Sequence, residues 1–188
     1  MRNYIVGELK AQFAKLKYPW PSDKYHLVGI RAPIKGDNQF DDLLCLVEQI
    51  PNRFTNLYYG TGTTIPGRYY LLNVMNPKGA AVLKEGQWKD CWRIGNHNGY
   101  TAFTQCAPIT VYRDNDKDST PEEIAGSEDT GMFGIDIHRA ASGFVAKFID
   151  NFSAGCQVWE DPAIFNKILT LCQASGQKTF TYTLLNEW

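Results

Sequence analysis

A chain of 188 residues is long enough for one substantial hydrophobic core and short enough to argue for a single domain. Apolar residues at 44% and charged residues at 21% are ordinary for a soluble globular protein, and a formal net charge of -1 gives no electrostatic reason to expect nucleic acid as a partner. The five cysteines, Cys45, Cys91, Cys106, Cys156 and Cys172, contain no C-x-x-C pair, which argues against a zinc ribbon or a thioredoxin-type motif.

In chain order, Ile5, Val6, Leu9, Phe13 and Leu16 fall at helical spacing, and Pro19-Trp20-Pro21 ends the pattern because proline cannot continue a helix. Glu8 and Lys10 interrupt this segment where a signal peptide needs an apolar run, and no later run is long enough to span a bilayer, so the expectation is a soluble protein made in the cytoplasm. Tyr25 to Arg31 reads as a strand. Phe40 to Gln49 reads as a second helix, with Asp37 or Asn38 as cap, Phe40, Leu43, Leu44 and Val47 on one face, and Pro51 closing it. From Phe54 to Val111 the signals turn to β, in runs at Leu57-Tyr58-Tyr59, Arg68 to Leu72, Ala80 to Leu83, Tyr100 to Gln105 and Ile109 to Tyr112. Turn residues at Pro66-Gly67, Asn76-Pro77, Lys78-Gly79 and Asn98-Gly99 punctuate them.

Asp114 to Thr130 is polar and acidic and reads as a surface loop. Asp114, Asp116 and Asp118 look like the start of a calcium loop, but Ser119 and Ala125 stand where an EF-hand needs glycine and a bidentate glutamate. Asp161-Pro162 is a helix start, with Ile164, Phe165, Ile168, Leu169 and Cys172 as the buried stripe, and Thr179 to Leu185 alternates as a closing strand. The predicted fold is mainly β, a sandwich or barrel with about three peripheral helices, α+β in a looser scheme. Residues 1–24 would be a helical extension and 25–188 a β-rich core.

The chemistry concentrates in two segments. In Gly134-Ile135-Asp136-Ile137-His138, alternation puts Asp136 and His138 on one face of a strand and Ile135 and Ile137 on the other. Ser153-Ala154-Gly155-Cys156 places a thiol after a glycine, which permits a tight turn. A cysteine attacks as thiolate and needs a neighbouring base, and His138 is the candidate. His26 lacks a polar constellation and reads as structural or simply exposed, whereas His97 lies in a polar turn that either lines a site or ends a hairpin. Cys45 and Cys172 sit in apolar runs and read as buried small hydrophobes. The aromatic content, with ten tyrosines and five tryptophans, is compatible with a groove for sugar or peptide.

The order histidine then cysteine, with fourteen residues between His138 and Ser153, disfavours papain-like and NlpC-like peptidases, which place the cysteine first. On these residues the chain resembles the L,D-transpeptidase (YkuD-like) family, whose signature is a histidine, a loop of similar length, then Ser/Thr-x-Gly-Cys; the match covers residues 131–159. It is also similar to small phage and bacterial proteins of this type with a Ser-Ala-Gly-Cys-Gln-Val core, through the segments at 94–99 and 111–114. The resemblance implies that Cys156 attacks a peptidoglycan stem-peptide carbonyl while His138 takes and returns the proton. Amides around Gly155 and Cys156 would hold the oxyanion, and Ser153 would brace the turn or contact substrate. Transfer to an amine or to water would follow, without metal or cofactor. Arg139, Ala154, Gln157 and Val158 depart from the family pattern; Arg139 is a candidate carboxylate-binding residue, and Asp136 and His97 are candidate orienting or substrate-binding residues. Two other readings fit the same residues: a non-catalytic cell-wall-binding or virion-associated module of the same fold, and a metallopeptidase using His97, Asp136, His138 and Cys156. Delivery to the wall would need a route other than a signal peptide.

Overall fold

The computed structural model describes residues 4–35, 38–50 and 55–188. Its elements in chain order are α1 (Val6–Lys15), β1 (Tyr25–Arg31), β2 (Asp42–Glu48), β3 (Asn56–Thr63), α2 (Arg68–Leu72), β4 (Ala80–Leu83), β5 (Gly86–His97), β6 (Tyr100–Gln105), β7 (Ile109–Asp114), β8 (Asp129–Gly131), β9 (Ile137–Arg139), β10 (Gln157–Trp159), α3 (Pro162–Ala174) and β11 (Phe180–Asn186). Eight strands close into a barrel in the order β1-β11-β5-β6-β9-β10-β3-β2, and β4-β7-β8 form a separate three-stranded sheet. The β1–β11 and β9–β10 pairs are parallel; the other ladders are antiparallel.

Two layers of apolar side chains explain the architecture. Leu27, Leu44, Leu46, Trp92, Phe103, Tyr182 and Leu184 share one core with Phe165, Ile168 and Cys172 of α3. The alternate residues Val28, Ile30, Leu43, Cys45, Val47 and Leu185 pack instead against Leu9 and Phe13 of α1. Helix α3 starts where Asp161 accepts the Ala163 N–H at 2.7 Å, with proline in the first turn. No helix among the described residues is long and apolar enough to cross a membrane.

The mainly β class and the helices α1 and α3 agree with expectation, but two elements do not. Residues 42–48 form the strand β2, not a helix: Leu44 and Leu46 face one core and Leu43, Cys45 and Val47 the other. A strand buried on both faces reads as a continuous apolar run, in which neither the 2.0 nor the 3.6 period is visible. Asn38 does not cap the expected helix; its amide oxygen accepts the Asp150 N–H and the Arg68 N–H at the start of α2, and its amide nitrogen donates to Asp150 Oδ1 at 2.6 Å. Asp37, Pro51 and Phe54 lie outside the described residues.

Residues 68–72 form the one-turn helix α2, not a strand. Gly67 precedes it and donates its N–H to the Ser153 carbonyl, and a β-carbon there would collide with the backbone of Asp150. This contact turns the chain before a strand can pair. The twelve-residue β5 has no clear strand signal in the sequence, because Gln87-Trp88-Lys89-Asp90 carries no clean alternation. In the acidic loop, Asp116 and Asp118 accept the N–H of the residue two positions on and Asp114 accepts the Glu122 N–H, so these carboxylates brace turns.

Candidate functional site

Strands β9 and β10 run parallel with Gln157 opposite Ile137 and Val158 opposite His138, so Cys156 lies across from Asp136. Ile135, Ile137 and Trp159 point into the barrel core, while Cys156 and Val158 pack on the other side with Ala140, Val82 and Tyr112. Asp136, His138 and Cys156 therefore share the outer face. A parallel pair needs a crossover outside the sheet, and residues 140–156 supply it. That crossover, the small sheet and the tip of the β5–β6 hairpin enclose a cavity of about 590 Å³, lined by Cys156, His138, His97, Tyr100, Arg139 and Phe133 among others.

His138 is 4% exposed, and its Nδ1 lies 2.7 Å from the Arg139 carbonyl oxygen. A carbonyl only accepts, so Nδ1 carries the proton and Nε2 is the ring nitrogen left as a base. The Tyr100 hydroxyl, 3.1 Å from the same Nδ1, donates to that carbonyl at 3.3 Å. Burial, and after it the neighbouring His97, pulls His138 down to about 4, so the imidazole is neutral near pH 7.

Cys156 is 8% exposed. Its sulfur accepts the Asp136 N–H at 3.4 Å and its thiol donates to the Gly134 carbonyl at 3.6 Å. Burial pushes the thiol up to about 12, against the smaller pull of the Asp136 N–H. The resting pair is thus thiol and neutral imidazole, and a thiolate would form only as its proton leaves.

The turn before the cysteine is built from its own side chains. Ser153 is fully buried; its hydroxyl accepts the Gly155 N–H at 3.1 Å and lies 2.9 and 2.8 Å from the Ile65 and Cys156 carbonyls, either of which it can donate to. Ser153 therefore braces the turn and does not reach the cavity, and the Gly155 amide is already engaged. The Cys156 N–H has no acceptor among the described residues. Gly155 has φ +121°, and a β-carbon on it would run into the Ala81 carbonyl of β4, so glycine is required twice over. Gln157 points into the barrel: its Nε2 donates to the Gly155 carbonyl at 3.1 Å and its Oε1 accepts the Tyr182 hydroxyl at 2.7 Å.

His97 joins this site. Its Nδ1 donates to Asp136 Oδ2 at 2.7 Å, while Asp136 Oδ1 accepts the Gln105 N–H at 2.9 Å. The Arg139 guanidinium sits 4.2 Å over the Tyr100 ring at the cavity wall, a cation available to an anionic ligand. His26, by contrast, is fully buried, bonds Thr183 Oγ1 at 2.9 Å and packs its ring edge on Phe13, a structural role.

Two participants escaped the sequence reading. Tyr100 stands opposite His97 across the Asn98-Gly99 turn, so the register of a two-residue hairpin could have placed it beside His97. Gln105 holds the segment leading into β9, its Oε1 accepting the Phe133 and Ile135 N–H groups and its Nε2 donating to the Gly131 carbonyl. No local signal announces that role. Among the described residues no group of three or more His, Cys, Asp or Glu is arranged to hold a metal ion, so the metallopeptidase reading has no ligand set to build on.

No protein-family model matches the chain, and neither does any curated protein or solved structure.

Proposed function

We propose that the protein performs cysteine-dependent acyl transfer or hydrolysis on peptidoglycan stem peptides, as an L,D-transpeptidase-like enzyme. The observation that carries the reading is the shared cavity of Cys156 and His138, with His138 locked through Nδ1 onto the Arg139 carbonyl so that Nε2 is the free base. In the proposed reaction the Cys156 sulfur attacks a stem-peptide carbonyl as its proton passes to His138 Nε2. The Cys156 N–H stabilises the oxyanion, and the departing amine takes the proton back from His138. An acceptor amine or water then gives its proton to His138, attacks the thioester and releases the thiol. Arg139 is the candidate contact for a substrate carboxylate, and its cation–π seat on Tyr100 fixes its direction.

Incubation with a defined tetrapeptide stem or a carbapenem, read by intact mass, tests this. An adduct on Cys156 that is lost in Cys156→Ala and His138→Ala is the expected result, and processing that survives both substitutions would overturn it. One observation favours a second reading, a non-catalytic cell-wall-binding module: burial holds the thiol protonated near neutral pH. Under that reading the cavity binds stem peptide while Cys156 neither acylates nor alkylates at a rate dependent on His138.

A further inference from the structure

Cys91 lies near the middle of β5 and Cys106 immediately follows β6. The β5–β6 register pairs Trp92 with Gln105, and the next step outward sets Cys91 opposite Cys106, where the Cys106 N–H donates to the Cys91 carbonyl at 2.7 Å. Residues that face each other across antiparallel strands have α-carbons about 4.5–5.5 Å apart, inside the ~4.4–6.8 Å span that a disulfide bridges. Both residues are free thiols here, each resting on backbone carbonyls: Cys91 Sγ on Lys89 and Pro108, Cys106 Sγ on Asp90. Neither thiol enters the cavity lining.

We propose that Cys91 and Cys106 are a redox site, closing to a cross-strand disulfide at the base of the hairpin whose tip presents His97 and Tyr100 to the cavity. Cys106 is half-buried and Cys91 buried, so the order of events is set by access. With a small-molecule disulfide as oxidant, the Cys106 thiolate attacks one of its sulfurs, forming a mixed disulfide and releasing one thiol. The Cys91 thiolate then attacks the Cys106 sulfur and releases the second thiol. Two cysteine protons are lost, the pair is oxidised by two electrons, and the oxidant leaves as two thiols. Cys45 and Cys172 are buried on β2 and α3, and Cys156 lines the cavity that neither hairpin thiol enters.

The test is to expose the full chain to oxidised glutathione in mildly alkaline buffer and read intact mass, a non-reducing peptide map and thermal unfolding. The expected product is lighter by two hydrogens, yields one linked peptide pair joining Cys91 to Cys106, and melts roughly 5 °C or more above the reduced chain, because the link closes a loop of about fifteen residues. Reductant reverses all three, and Cys106→Ser shows none of them. A product that stops at one glutathione per chain, a link through any other cysteine, or an unmodified chain overturns the proposal. Since the mass and peptide map are read on the wild-type chain, the outcome does not depend on a variant folding. It is also independent of any activity at Cys156.

Discussion

The imidazoles of His97 and His138 lie nearly flat against each other, centroids 4.2 Å apart and planes 19° apart. Each ring is held from a different source: His97 by the Asp136 carboxylate just ahead of β9, His138 by the carbonyl of the residue after it. Asp136 ties the two halves together, since its backbone N–H meets the Cys156 sulfur and its carbonyl accepts the Gln157 N–H. Displacing the His97 ring therefore frees one side-chain oxygen of the residue whose backbone N–H meets the thiol. His97→Ala removes one face of the stack without touching the bond that sets the His138 tautomer. The expected outcome is a fall in the rate of Cys156 acylation of roughly tenfold, against a loss of about a hundredfold or more for His138→Ala, in line with the usual worth of a positioned base. Equal losses in the two variants would contradict this division of roles.

Tyr100→Phe deletes the hydroxyl that meets His138 Nδ1 and the Arg139 carbonyl, while keeping a ring under the Arg139 guanidinium. One neutral hydrogen bond is worth about 1 kcal/mol, so acylation should slow roughly five- to tenfold with the fold intact. Tyr100→Ala also removes the cation–π seat and should weaken binding of carboxylate-bearing stem peptides. A titration of binding for the two variants separates the effects, and identical affinities would argue against Arg139 as the carboxylate contact.

Acid should destabilise the protein through two histidines. Burial lowers His26 from 6.5 to about 3, and burial with His97 lowers His138 from 6.5 to about 4. Because the folded values lie below the unfolded ones, their contribution is fully present above about pH 6.5. It is lost as pH falls from there toward the folded values, where the unfolded chain takes up protons first. Each pKa unit is worth about 1.4 kcal/mol, so the combined loss amounts to several kcal/mol. Urea midpoints measured between neutral pH and pH 4 should fall steadily, and less so in His26→Gln, which keeps a donor for Thr183. A flat wild-type profile would show that neither imidazole is held neutral by burial.

How far the sequence was legible depends on whether a residue's environment is local. The 135–138 alternation placed Asp136 and His138 on one face correctly because only one side of β9 meets the barrel core. Asp161-Pro162 announced α3 because a cap is read within three residues. The Leu43-Leu44-Cys45-Leu46-Val47 run hid β2 because both its faces are buried, a tertiary fact. Gln157 looked like a departure from a motif, yet its contacts are Gly155 and Tyr182, the second 25 residues away on a strand across the barrel. Gln105 was invisible for the same reason, since apart from the Ala107 carbonyl its partners lie 26 to 31 residues further along the chain.

Gly155 and Gly134 both have positive φ, +121° and +71°, but their surroundings differ. A β-carbon at Gly134 meets nothing within 4 Å, whereas at Gly155 it collides with the Ala81 carbonyl. Gly134→Ala should cost about 1–2 kcal/mol of backbone strain alone. Gly155→Ala adds overpacking against main chain and should cost about 2–5 kcal/mol while shifting the Cys156 turn. Thermal unfolding gives the first comparison, and thiol alkylation of the two variants gives the second. Equal destabilisation would mean that β4 yields where the close approach says it cannot.

Gln157 and Tyr182 form a buried polar pair inside the barrel, and the pair supports the turn before Cys156 through the Gly155 carbonyl. Gln157→Leu strands the Tyr182 hydroxyl and the Gly155 carbonyl, each costing about 1–3 kcal/mol when left without a partner in the interior. Tyr182→Phe alone removes one donor and leaves the Gln157 oxygen short of a partner, a smaller loss. Adding Tyr182→Phe to Gln157→Leu relieves the stranded hydroxyl, so the double variant should be more stable than the sum of the single losses implies. A double-mutant cycle by urea denaturation checks this. Strict additivity would mean that the hydroxyl finds another acceptor once Gln157 is gone, and that the turn holding Cys156 does not depend on the barrel interior.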